Sequence, residues 1–181
     1  MVEGKLYCYG KEDGNKGIEA TYILNGNILQ VNIAGSNHWT DYLKCLRVWP
    51  RIQDRGLKYH KYFYEEGKNL SLYLINHLKL ELAKRNIIVK VEGFSLGGSL
   101  AKSMYLQWPR VKNVISINAP KIGNKLITQR LKSPNVKIYG HKNDLIHRFP
   151  FFYAKESVIS YGDAKVPFWK AHNIRPITPN S

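Results

Sequence analysis

Residues 87–107 constrain this chain more than any other stretch. Ile87-Ile88-Val89-Lys90-Val91-Glu92 is short and rich in β-branched residues, the composition of a buried strand. Gly93 to Gly98 follows without a spacer, and residues 99–107 read as a helix closed by Trp108-Pro109. With a further strand in Val114-Ile115-Ser116-Ile117-Asn118, the segment is a βαβ unit, and such units require a parallel sheet.

The flanking sequence extends the same pattern. A helix over 125–131 and a strand over 136–139 continue the alternation downstream. Upstream, Tyr22-Ile23-Leu24 and the run from Ile28 to Ile33 are separated by Asn25-Gly26, which accepts the positive φ angles of a tight hairpin turn. Trp39, Tyr42, Leu43, Leu46 and Trp49 recur at three or four residues and predict a helix over 38–49. Leu70, Tyr73, Leu74, His77, Leu78, Glu81 and Leu82 predict a longer one over 68–84. The expected fold class is α/β: a mostly parallel central sheet with helices on both faces and an antiparallel N-terminal hairpin. No repeat, low-complexity tract or linker interrupts residues 1–181, so one domain is expected.

Composition narrows the setting. An apolar fraction of 44% against 23% charged residues is that of a globular chain, not a disordered one. No run approaches the roughly 18 apolar residues that cross a bilayer, and Met1-Val2-Glu3-Gly4-Lys5 lacks the apolar core of a secretory signal, so a cytoplasmic location is expected. The two cysteines, Cys8 and Cys45, fall in segments expected to face the core, which suits a reducing compartment without disulfides. The formal charge of +15 favours anionic surfaces, including a membrane contacted peripherally. The basic residues are scattered, with no arginine-rich run, which weighs against nucleic-acid binding.

Gly93-Phe94-Ser95-Leu96-Gly97 fits the pattern GxSxG, in which a sharp strand-to-helix turn lifts a serine hydroxyl above the sheet and the glycines admit close backbone. Such a serine becomes nucleophilic through a histidine that is itself oriented by a carboxylate, in the chain order serine, acid, histidine. Downstream aspartates are Asp144 and Asp163; downstream histidines are His141, His147 and His172. Asp144 follows the predicted strand 136–139, in a loop at the carboxyl end of the sheet, and is the preferred acid, with Asp163 second. His172 is the preferred base because enough chain separates it from Asp144 to fold back across the site. His141 and His147 lie too close in sequence to Asp144. For the oxyanion, the backbone N–H of Leu96 is one expected donor. Ser36, after Ile33-Ala34-Gly35, is the other, by its N–H and hydroxyl; capping the next helix is the competing role for Ser36.

Taken together, these segments resemble the class 3 lipase family, the fungal triacylglycerol lipase-like branch of the α/β-hydrolases. Ile33-Ala34-Gly35-Ser36 resembles its oxyanion segment, with Ala34 where arginine is usual, and Trp39-Thr40-Asp41 its Trp and Asp region. Tyr59-His60-Lys61-Tyr62-Phe63 resembles its "VHxGF" segment with Tyr62 in place of glycine, and residues 93–101 its nucleophile elbow. Ala119-Pro120-Lys121-Ile122-Gly123-Asn124 is similar to "APRVGN", and residues 143–150 to its acid loop. The resemblance implies hydrolysis of carboxylic esters, of acylglycerols or phospholipids, through an acyl-enzyme and without cofactor or metal. In such lipases a lid occupies the place of the helix predicted at 38–49, although an apolar helical stripe is more often core than lid. A thioesterase, peptidase or acyltransferase would use the same site, and an idle relative could serve as a basic binding protein.

Overall fold

The computed structural model describes residues 1–8, 18–35, 51–54, 56–150 and 153–176. Ser36, Cys45, the helix predicted over 38–49 and the lid considered for it lie outside the described residues.

Three strands open the chain: β1 (Val2–Cys8), β2 (Ile18–Asn25) and β3 (Ile28–Ile33). They pair antiparallel in succession, with Gly26 at φ 56° in the turn that Asn25-Gly26 predicts. A small antiparallel pair follows, β4 (Arg51–Asp54) with β5 (Leu57–His60), and leads into α1 (Lys61–His77) and α2 (Lys79–Lys84). Then come β6 (Ile88–Phe94), α3 (Leu96–Gln107), β7 (Val111–Ile117), α4 (Lys125–Arg130), β8 (Val136–His141), β9 (Ile159–Tyr161) and the short α5 (Phe168–Ala171). The central sheet has seven strands among the described residues, in the order β1-β2-β3-β6-β7-β8-β9, and every pairing from β3 onward is parallel.

The mostly parallel sheet with an antiparallel start is the expected one. From β3 to β9 each parallel strand is added beside the last in the same direction. Leu29, Val31 and Ile33 of β3 and Val89, Val91 and Gly93 of β6 are buried on the side where α3 packs, and α1 lies against α3. On the opposite side Gln30, Lys90, Asn113 and Lys137 are exposed. Strands buried on one face alternate apolar and polar, as these do, whereas strands covered on both would read as continuous apolar runs.

Two boundaries show how packing overrides local signals. The helix predicted from residue 68 begins at Lys61 and runs through Gly67, because a Cβ there would sit 2.8 Å from Ser103 Cβ and Oγ; the glycine lets α1 lie close on α3. The strand predicted to stop at Glu92 continues to Phe94, since Gly93 and Phe94 still pair with Ser116 and Ile117. The core between the helices and the sheet is filled by Phe63, Leu70 and Leu74 of α1, Leu100 and Met104 of α3, and the inward residues of β3 and β6.

Candidate active site

The turn between β6 and α3 is a single residue. Ser95 has φ 53° and ψ −123°, a conformation that costs a side-chain-bearing residue roughly 1–3 kcal/mol and that persists where the surroundings over-determine it. Those surroundings are close backbone. A Cβ on Gly93 would collide with the Gly97 carbonyl, and one on Gly97 with the Ile33 carbonyl; on Gly98 it would come within 2.7 Å of Ala119 Cβ. Ser95 N–H donates to Ile117 O at 2.8 Å, pinning the elbow to β7. The glycines of the motif therefore set how deeply α3 sits against β3 and β7, and that depth presents the hydroxyl at the carboxyl edge of the sheet.

Two other loops meet it there. Asp144 lies past the end of β8, fully buried, with its Oδ1 accepting the Ile146 N–H at 2.8 Å. Its Oδ2 stands 2.9 Å from Nδ1 of His172, which caps the C-terminus of α5. The other ring nitrogen, Nε2, stands 2.8 Å from Ser95 Oγ. With a carboxylate at Nδ1, the proton belongs on that nitrogen, and Nε2 is left to accept from the serine hydroxyl. The three residues singled out in the sequence thus form one hydrogen-bonded line spanning 77 residues of chain between Ser95 and His172.

The remaining candidates stand apart from that line. Asp163 is exposed and accepts the Lys165 N–H at 2.9 Å, as a turn residue does. His141 is fully buried, with its Nδ1 accepting from Asn143 N–H and its ring edge-on to Tyr161. Burial holds His147 below the usual histidine pKa, against the pull of Asp144. Leu96 opens α3, so its N–H is among those at a helix start that have no intrahelical acceptor. The strand end leading to Ser36 borders the elbow: Gly35 lies so close that a Cβ on it would be 3.1 Å from Ser95 Cβ.

Sequence reasoning missed several groups around the line. Phe94 lies beside the His172 ring, centroids 5.2 Å apart, and the Arg175 guanidinium stacks on the same phenyl ring at 4.8 Å. Behind the elbow, Lys102 of α3 is fully buried and bonded to Glu156 at 2.7 Å. None of these three pairings leaves a trace in local sequence, because the partners are far apart along the chain.

Comparison with solved structures bears on the fold. A Rhizomucor miehei lipase–propeptide complex superposes with a TM-score of 0.63 at 16% identity, over 81% of this chain and 52% of that one. The Lip2 lipase of Yarrowia lipolytica gives 0.63 at 16% identity, over 78% and 60%. A triacylglycerol lipase from Penicillium expansum gives 0.60 at 16% identity, over 80% and 64%. The chain has a lipase-like α/β-hydrolase fold. It spans about half to two-thirds of the length of these lipases. No family model matches the sequence, and no curated protein matches it. In this lipase-like fold the elbow serine and its two partners sit where β6, β8 and the segment after α5 converge.

Tyr161, at the end of β9, borders the same region. Burial raises its phenol pKa to about 12, reinforced by Asp144 and opposed by a hydrogen bond with Asn118 and by Arg175. A phenol with a raised folded pKa contributes stability that is complete below its unfolded value of about 10 and is lost as pH rises through about 12. A spectroscopic titration should therefore show a phenolate component near pH 12 that is absent from Tyr161→Phe. The assignment fails if the variant retains it.

Proposed function

We propose that this protein is a serine hydrolase that cleaves a carboxylic ester of a lipid, in the manner of a lipase, phospholipase or esterase. The observation that carries the reading is the continuous line Asp144 Oδ2, His172 Nδ1, His172 Nε2, Ser95 Oγ, with distances of 2.9 and 2.8 Å, on a strained strand-to-helix turn. Ser95 Oγ attacks the ester carbonyl while His172 Nε2 takes its proton. The imidazolium then protonates the leaving alkoxide, giving an acyl-Ser95 and a free alcohol. Water, deprotonated by the same nitrogen, releases the acid and restores the serine. Asp144 holds the tautomer and stabilises the imidazolium. The Leu96 N–H is the oxyanion donor supplied by the elbow, and Ser36 is the proposed second donor.

Incubation with a fluorophosphonate, followed by mass spectrometry, tests the activated serine. A single adduct on Ser95, lost in His172→Ala, is the expected result, and an unlabelled folded protein would remove the hydrolase reading. Turnover of medium- and long-chain lipid esters then tests the substrate class. Asp144→Asn preserves shape but favours the wrong histidine tautomer, and should lower turnover by about 10⁴-fold. Undiminished turnover in that variant would exclude Asp144 as the acid.

A further inference from the structure

Asn118 follows β7 directly at φ 49°, in the left-handed region that glycine enters freely and asparagine with little cost. A glycine would satisfy that backbone, so the buried side chain has another use. Its Oδ1 accepts the His141 N–H of β8 at 2.8 Å. Its Nδ2 donates to the His172 carbonyl at 2.8 Å and to the Ile174 carbonyl at 3.1 Å, with the Ala171 carbonyl at 3.5 Å. The acceptor half of the carboxamide is thus fixed to the sheet, and the donor half grips the main chain on both sides of the histidine.

That grip on the main chain adds to the ring contacts that His172 and Arg175 make with Phe94. The helix before His172 has only four residues, too few to be stable by its own hydrogen bonds. Tyr161 OH donates to the same Ile174 carbonyl that Asn118 holds, so the main chain beyond His172 is tied to the residue that follows β7 and to the end of β9.

We propose that Asn118 is a positioning residue for His172, setting the imidazole between Ser95 and Asp144 by binding its main chain and never touching substrate. The consequence for catalysis rests on the hydrolase reading; the placement of the ring does not. Aspartate is the informative replacement. It keeps the shape and the acceptor for His141 N–H, but turns a carboxylate oxygen toward the carbonyls of His172 and Ile174, where a donor is required.

The test compares the full-length protein with Asn118→Asp and Asn118→Gly by circular dichroism, by the rate of fluorophosphonate labelling, by turnover of p-nitrophenyl butyrate, and by the low-field proton signal of His172 Nδ1–H. Both variants should melt cooperatively, yet label about ten- to a hundredfold more slowly, the scale expected when a catalytic group is displaced by about 1 Å. The loss should fall on kcat with KM unchanged, and the low-field signal should broaden or vanish. A folded variant that labels at the wild-type rate and keeps the low-field proton overturns the proposal. If the wild type itself fails to label, the hydrolase reading falls, and the low-field proton alone decides whether Asn118 holds the ring. Should the glycine variant fail to fold, the aspartate variant carries the same test.

Discussion

Ser95→Ala should lower ester turnover by about a millionfold, the order lost when a triad nucleophile is removed, while leaving the protein folded. The residual rate would come from substrate binding and the oxyanion donors, which stay in place. Ser95→Gly separates two properties of the same residue. Both variants remove the hydroxyl, but alanine keeps a Cβ at φ 53° and glycine does not. Glycine should therefore melt above alanine by the equivalent of about 1 kcal/mol, the conformational penalty of a left-handed side-chain-bearing residue. Kinetics with an activated ester and thermal melts of the two variants test both parts. Equal melting temperatures would mean that the elbow stores no strain at Ser95, and substantial turnover in either variant would place the nucleophile elsewhere.

Glu156→Gln should cost stability on the order of 3–5 kcal/mol, because it leaves a buried cation without its counter-charge. Lys102 Nζ lies on the helix that Ser95 begins and donates to Glu156 at 2.7 Å and to the Pro120 carbonyl at 2.8 Å. Ser99 Oγ donates to the same Pro120 carbonyl at 2.7 Å. Burial pulls the Lys102 pKa below its ordinary value while Glu156 pulls it back. The double replacement Lys102→Met with Glu156→Leu removes both charges and should recover most of the loss, since apolar pairs of similar volume often match or exceed a buried ion pair. Urea denaturation of the single and double variants measures the difference. If Glu156→Gln unfolds at the wild-type midpoint, the pair contributes nothing that a neutral hydrogen bond does not.

The sequence made the strand-turn-helix legible because β-branched residues, two close glycines and a helical run occur there without interruption. Chain order and loop position then led to Asp144 and His172, which the fold brings into one hydrogen-bonded line with Ser95. Local pattern could not give β1, where Gly4 and Lys5 weaken the strand signal, or the three-residue β9, which exists through pairing with β8. Nor could it give the role of Asn118, whose carboxamide bonds reach residues 23 to 56 positions away. The βαβ alternation predicted a parallel sheet but not the order in which its strands lie side by side, which long-range pairing decides.

Alternating burial also sets a rule for which changes this sheet tolerates. In β3 and β6, side chains of one parity are buried on the side of α3 and most of those of the other are exposed or half-buried. Saturation mutagenesis along β6 should therefore give a profile that oscillates from residue to residue: Val89, Val91 and Gly93 admit almost nothing, while Lys90 admits most polar residues. The same oscillation would continue through Leu29, Gln30 and Val31, so that drift in sequence accumulates on one side of a single layer while the side facing α3 stays fixed.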